Sequence, residues 1–165
     1  MFDFAKYRDL KSSSIRFVLS PTLWTQLTST LSLVWNDVPF GPSMQGQVPD
    51  VRGVYAFVLG MPRTDVPQFG YPMYVGETGN RSAATLRRRF GDYLQEKAQQ
   101  KRTKFYVFLN EWDGWIRFAY ATVPDKRRNL VKIEEHLNRA LIPPLVRDDF
   151  PADILPEITA FRALS

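Results

Sequence analysis

Glu134 stands where a carboxylate is least at ease. At about 100° per residue, Leu130, Ile133, Leu137 and Leu141 share one face of an expected helix, and Glu134 falls within that stripe. Glu135 points well away from it. A carboxylate on a core-facing stripe is unfavourable unless it is paired, protonated or bound to a cation. A metal ion, a structural ion pair with an arginine, or a side chain reaching out to solvent would each satisfy it. A second concentration of chemistry lies at Arg87, Arg88 and Arg89. Arg88 lies opposite the apolar face of its helix, while Arg87 and Arg89 border that face from its two sides, and geometry does not choose between them. Arg89 has Tyr93 one turn away on the same flank. Tyr55 and Tyr74 lie in two short apolar runs, with Gly53 two positions before the first and Gly76 two after the second. Tyrosine is a common strand former, and glycines so placed often let another group approach the backbone closely.

The elements that must carry these residues follow from pattern. GVYAFVLG reads as a strand over about 53–59, MYVG as a strand over 73–76, and residues 60–72 as a proline-rich connection. A helix is expected from about Ala83 to Ala98, with Leu86, Phe90, Tyr93 and Leu94 on one face. KFYVFL (104–109) and WIRFAYATV (115–123) flank Asp113-Gly114, the signature of a hairpin. Pro124-Asp125 would open a last helix running to Leu141, stopped by Pro143-Pro144. Upstream, Leu23 to Trp35 has near-helical spacing, and Pro39 to Pro49 reads as an irregular connector. The expected fold is α+β, a small mixed or antiparallel sheet flanked by helices. Its expected parts are an N-terminal extension (1–50), a core (51–146) and a C-terminal tail (147–165).

Gly53-Val54-Tyr55 followed by Tyr74-Val75-Gly76 resembles the signature pair of GIY-YIG nucleases. Leu86-Arg87-Arg88-Arg89-Phe90-Gly91-Asp92-Tyr93 is similar to that family's Leu-x-x-Arg-hydrophobic-x-x-aromatic helix and assigns its arginine to Arg89. Glu134 with Pro143 matches its helical glutamate and proline-containing exit. The resemblance implies Tyr55, Tyr74, Arg89 and Glu134 as catalytic residues, with Gly53, Gly76 and Tyr93 in support. It implies that Glu134 binds a divalent cation, Mg²⁺ or Mn²⁺, that Arg89 braces the transition state, and that Tyr55 is a general base positioned by Tyr74. The chain departs from the pattern at Val146, where the family carries asparagine, at Glu77, where several relatives carry lysine, and in the added residues Arg81 to Ala84.

Composition narrows the partners. The 165 residues carry a formal net charge of +5, which favours polyanions. The clusters Arg81, Arg87, Arg88 and Lys126, Arg127, Arg128 are the expected nucleic-acid contacts, DNA before RNA. There is no cysteine and a single histidine, His136. A thiolate metal site, a disulfide framework and a Ser-His-acid triad are therefore poor readings. Neither a Walker loop nor a dinucleotide fingerprint occurs. No signal-peptide pattern or spanning apolar stretch is present, so a soluble, cytoplasmic protein is expected. The alternatives to an endonuclease are a binding module that cleaves nothing and a basic protein-interaction domain.

Overall fold

The run Gly53–Leu59 is apolar and buried at nearly every position, as a strand covered on both faces requires. The computed structural model describes residues 15, 17–27, 32–60, 70–99, 103–146, 150 and 152–163. In chain order these form α1 (Pro21–Gln26), β1 (Asn36–Pro39), a 3-10 turn (Pro42–Gln47), β2 (Gly53–Leu59), β3 (Tyr71–Thr78), α2 (Leu86–Gln99), α3 (Thr103–Glu111), β4 (Ile116–Thr122), α4 (Leu130–Leu141) and α5 (Leu155–Ala163). The strands make one antiparallel sheet in the order β1-β4-β2-β3. Helices flank it, so the fold is α+β.

Side-chain alternation along β2 divides the core in two. Tyr55, Phe57 and Leu59 pack with Leu86, Phe90 and Tyr93 of α2, Phe105 and Phe108 of α3, and Phe118 of β4. Val54 and Ala56 face the other way and pack with Val75, Ala121 and the α4 stripe Leu130, Ile133 and Leu137. α2 and α4 thus cover opposite faces. On the α2 side Phe57 is the hub, with ring centroids 4.8 Å from Tyr93, 5.1 Å from Phe40 and 5.4 Å from both Phe105 and Phe118. Edge-on aromatic pairs of this kind each contribute about 0.5–1.5 kcal/mol beyond the area they bury. A third cluster, Ile142, Val146, Phe150, Ile154 and Ile158, joins α4 to α5.

Several expectations are corrected. KFYVFL is not a strand: residues 103–111 are α3. Phe105, Phe108 and Leu109 are spaced i, i+3, i+4 and all are buried, so the core takes one helical face of this short apolar run. Asp113-Gly114 therefore joins a helix to β4 and is not a hairpin tip; Gly114 takes φ +83° there. The partners of β4 are β2 and β1 instead. β1 lies just beyond a segment read as helical to Trp35, where the helix ends at Gln26. Ser20 caps that helix, and Pro21 enters it without losing a hydrogen bond. The N-terminal extension thus contributes an edge strand to the sheet. The last core helix starts at Leu130 rather than Pro124-Asp125. The Asp125 carboxylate accepts from Arg127 N at 3.0 Å and holds a turn, and Asn129 is the N-cap. Residues 1–14, 28–31 and 61–69, covering parts of the expected extension and of the 60–72 connection, lie outside the described residues.

Arg52, just before β2, ties the turns at one end of the sheet together. Its guanidinium donates to Gly79 O (3.2 Å), Asp125 O (2.6 Å), Asn80 Oδ1 (3.4 Å) and Arg128 O (3.1 Å). Asn80 Oδ1 also accepts from Leu130 N at 2.9 Å, so the same latch fixes the start of α4. Arg52→Met keeps the aliphatic stem and removes the donors. Hydrogen bonds to charged groups are worth about 1.5–3 kcal/mol, so we expect the variant to lose about 2–3 kcal/mol in urea unfolding at unchanged slope. An unaltered midpoint would show that the latch contributes no stability.

Candidate active site

The Tyr55 side chain is fully buried, and its position follows from strand alternation: Phe57 and Tyr55 point to the α2 face, in register with Phe118 and Tyr120 of β4. The Tyr55 ring stacks on Phe118 with centroids 5.3 Å apart. Opposite it on β3 stands Gly76. A Cβ there would lie 2.5 Å from the Tyr55 hydroxyl and 2.6 Å from Cζ, so the tyrosine needs glycine in the neighbouring strand. Gly53 has a similar constraint, because a Cβ would run into the Ala121 carbonyl.

A buried phenol needs hydrogen-bond partners, and α2 supplies them. Arg89 Nε donates to Tyr55 Oη at 3.1 Å, and the Tyr55 and Tyr93 hydroxyls are 2.9 Å apart. Arg89 and Tyr93 are one turn apart, which also lays the guanidinium over the Tyr93 ring, 5.3 Å from its centroid. Between the two bordering arginines the structure therefore chooses. Arg89 enters the tyrosine cluster. Arg87 donates to Val48 O at 2.8 Å and to Gly46 O at 3.5 Å, anchoring the 3-10 turn, and is committed to the fold rather than presented as a phosphate donor. Arg88 is exposed, as its place on the helix implied.

Tyr74 completes the cluster from the edge strand β3, its ring 6.2 Å from that of Tyr55 and 6.3 Å from that of Tyr93. A bulge between Phe57 and Val58 shifts the register there. Tyr74 is half-buried, and it touches both the α2-side core and the C-terminal cluster. The exposed side of Arg89 faces Asp92 at 3.7 Å, with 39% of the arginine side chain accessible. The cluster is thus a closed tyrosine pair supporting a cation whose outer side is partly exposed beside the Asp92 carboxylate.

Burial acts on both members of the Tyr55–Arg89 pair. Burial pushes the Tyr55 hydroxyl well above the ordinary tyrosine value, reinforced by Tyr93 and Tyr74, and Arg89 only partly offsets this. Tyr55 as placed here is a neutral hydrogen-bonding group and not a base at neutral pH. Burial works against the charge on Arg89, but Tyr55, with Tyr93 and Tyr74, more than offsets it and holds the guanidinium above its usual value.

Glu134 is half-buried on α4, which covers the opposite face of the sheet and packs mainly on β3. The structure brings Tyr55, Tyr74, Arg89 and Tyr93 into one cluster and puts Glu134 across the sheet from it. Glu77 sits opposite Val54 in register, so it too faces away from the tyrosines, and its carboxylate accepts from Asn80 N at 3.2 Å. Val146 is 1% exposed inside an apolar cluster, a place where an asparagine would have to bury its amide. Among the described residues no three of His, Cys, Asp and Glu gather into a metal cluster. Mg²⁺ often takes only one or two carboxylates, with waters and substrate phosphates completing its shell. Glu134 brings one carboxylate, the kind of ligand such a shell uses. Of the remaining basic residues, Arg81, Lys126 and Arg127 are exposed on the turns that Arg52 latches together. Arg127 pairs with Asp125 at 3.1 and 3.2 Å, and Arg128 is half-buried. Sequence reasoning missed Arg52, whose only sign was its place before the strand, and Asn80, which takes part in the same latch.

No protein-family model matches the chain, and no curated protein and no solved structure matches it. Among the described residues no helix is long and apolar enough to cross a membrane.

The raised Tyr55 pKa has a measurable consequence. The folded value lies above the unfolded one, near about 10, so the unfolded chain releases the proton first. The contribution of Tyr55 to stability is full below about pH 10 and is lost as pH rises beyond it. Between pH 9 and 11 the parent should lose stability more steeply than Tyr55→Phe. Equal slopes would mean that the hydroxyl ionises as freely in the folded chain as in the unfolded one.

Proposed function

We propose that the chain is a divalent-cation-dependent phosphodiesterase of the GIY-YIG type, an endonuclease acting on nucleic acid, DNA before RNA. The observation that carries this reading is the Tyr55–Arg89–Tyr93 hydrogen-bonded cluster with Tyr74 beside it. Residues chosen from separate stretches of sequence converge there on one half-exposed cation. The exposed basic turns at Arg81 and at Lys126 and Arg127, with Arg88 on α2, give a polyanion further contacts.

Arg89 donates charge-assisted hydrogen bonds to a phosphate oxygen, and these strengthen as negative charge gathers on the oxygens of the pentacoordinate transition state. Tyr55 and Tyr93 fix the guanidinium in advance, so little reorganisation accompanies the reaction. Tyr74 has the access to substrate that Tyr55 lacks, and it is the tyrosine we assign to orienting the attacking water. Glu134 would hold the cation, which when bound supplies Lewis-acid polarisation of the phosphate and a more acidic water.

A binding module that cleaves nothing is favoured by one observation. Tyr55, the base that the resemblance implies, is sealed and held neutral. Cleavage assays on plasmid, single-stranded DNA and RNA with Mg²⁺ or Mn²⁺ decide between the two. Arg89→Ala should lower the cleavage rate by about 100-fold or more, the scale of one lost transition-state donor, and Arg88→Ala should lower it far less. Equal losses would mark the arginine run as a diffuse phosphate-binding face. Glu134→Gln keeps size and shape, and it should abolish metal-dependent cleavage while DNA affinity stays level or improves. A Glu134→Gln variant that cleaves like the parent would remove the glutamate from the chemistry. A parent that binds DNA but cleaves under no metal makes the chain a binding module.

A further inference from the structure

Two turns meet at the end of the sheet where β2 begins, and Arg52 holds both. Its guanidinium donates to Gly79 O and Asn80 Oδ1 on the turn after β3, and to Asp125 O and Arg128 O on the turn after β4. Each turn is shaped to receive it. Gly79 has φ +88°, and a Cβ there would lie 2.5 Å from the Arg52 Cβ and 2.8 Å from Ala84 O, so this turn closes directly on the arginine. The Asp125 carboxylate accepts from Arg127 at N, Nε and Nη2 (3.0, 3.1 and 3.2 Å), which leaves the Asp125 backbone carbonyl to Arg52.

The turns carry free cations outward. Arg81 stands two residues beyond Gly79 and Lys126 one beyond Asp125, and both side chains are exposed. Among the described residues no carboxylate pairs with either of them. The two chain segments are held within hydrogen-bond reach of one guanidinium, so the two long side chains rise from neighbouring backbone. Arg52 is three residues before Tyr55, about 10 Å along the strand at about 3.3 Å per residue. Unpaired cations gathered this closely suit a ligand with repeated negative charge, which a phosphodiester backbone has. We propose that Arg52 is a positioning residue for substrate binding: it holds the turns at Arg81 and Lys126 as one clamp that grips the backbone of a nucleic-acid strand beside the Arg89 site. Arg52 commits its own donors to the protein and meets no phosphate. Fixing both turns in advance removes the cost of ordering them when the strand binds. The clamp recognises charge and not base, because phosphate contacts carry no sequence information. The inference rests on nucleic acid as the substrate, and it adds how the strand is held.

The probe is a fluorescent single-stranded DNA oligonucleotide of mixed sequence. Its affinity for the full chain is read by anisotropy over a range of salt, without divalent metal so that nothing is cut. Arg81→Ala and Lys126→Ala should each lower the slope of log affinity against log salt by about 0.7, the effect of one lost phosphate contact on a single strand. Arg52→Lys keeps the charge, but an ammonium lacks the planar fork that reaches both turns. It should bind more weakly than the parent, with the slope lowered by about 0.7–1.4, and adding Arg81→Ala and Lys126→Ala to it should change little further. A purely stabilising Arg52, or one acting only through its charge, would leave the folded Arg52→Lys variant with the parent's affinity and slope. That result overturns the clamp while the nucleic-acid reading survives. Alanine effects that persist in full on the Arg52→Lys background overturn it equally. Should Arg52→Lys fail to fold, Asn80→Ala decides, since it loosens the turn after β3 from Arg52 and from Leu130. Its slope should fall by about 0.7 with no further fall on adding Arg81→Ala, and an unchanged slope overturns the proposal. A parent that binds no oligonucleotide removes the nucleic-acid reading and the clamp together.

Discussion

The Tyr55 hydroxyl is buried in an aromatic core, and much of the α2 side follows from satisfying it. A phenol in that place without partners would be strongly unfavourable. Arg89 and Tyr93 must therefore come from the same side of one helix, one turn apart. Gly76 must lack a side chain because the hydroxyl occupies the space where Cβ would be. Arg89 must lean inward over Tyr93 instead of extending into solvent as Arg88 does. The constraint that fixes the core also aims the cation.

The sheet separates the two halves of the proposed chemistry. β2 is buried on both faces, with the tyrosine–arginine cluster on one side and the α4 stripe on the other. Among the described residues, only at the edge strand does one belong to more than one cluster: Tyr74 packs against the α2-side core and also against the cluster that follows α4. A phosphodiester held by Arg89 and approached by an ion on Glu134 would have to bind at that edge. Tyr74 is the side chain placed to feel both.

What could be read from sequence was governed by how many faces each element buries. β2 was legible to the residue because burial on both faces leaves an unbroken run of strand formers bounded by glycine. α4 was legible because its apolar stripe is regular, although its start was not, since the Asp125 turn and the Asn129 cap compete for the same few polar residues. KFYVFL misled because a short apolar run has no decisive period and a neighbouring Asp-Gly looks like a hairpin tip. β1, four residues with one buried side chain, carries almost no pattern of its own. It exists because Val38 fits against Phe118 in a register set by β4. At the site, α2 spacing left Arg87 and Arg89 open and only the family resemblance singled out Arg89 with Tyr55 and Tyr74, and no local pattern could give the burial that keeps Tyr55 neutral. That depends on Phe118, more than sixty positions away in sequence, stacking on its ring.

The arginines show why net charge is a weak guide to phosphate contacts. Arg52 and Arg87 are both basic residues close to the proposed site, and both donate inward to backbone carbonyls. Arg117 pairs with Asp37 across β1 and β4, and Arg139 with Asp153 at 2.8 Å. A guanidinium suits these tasks because its planar fork satisfies several carbonyls at once, which lysine's single ammonium does less well. The formal +5 therefore does not say which guanidiniums have donors left to meet a polyanion. Arg89 differs from Arg87, two positions away, in that its inward bond is to a side-chain hydroxyl, through Nε alone, while the outer edge of the fork is partly exposed beside Asp92. Holding an arginine by its inner nitrogen against a buried phenol gives it a fixed direction without using the donors that a phosphate would need.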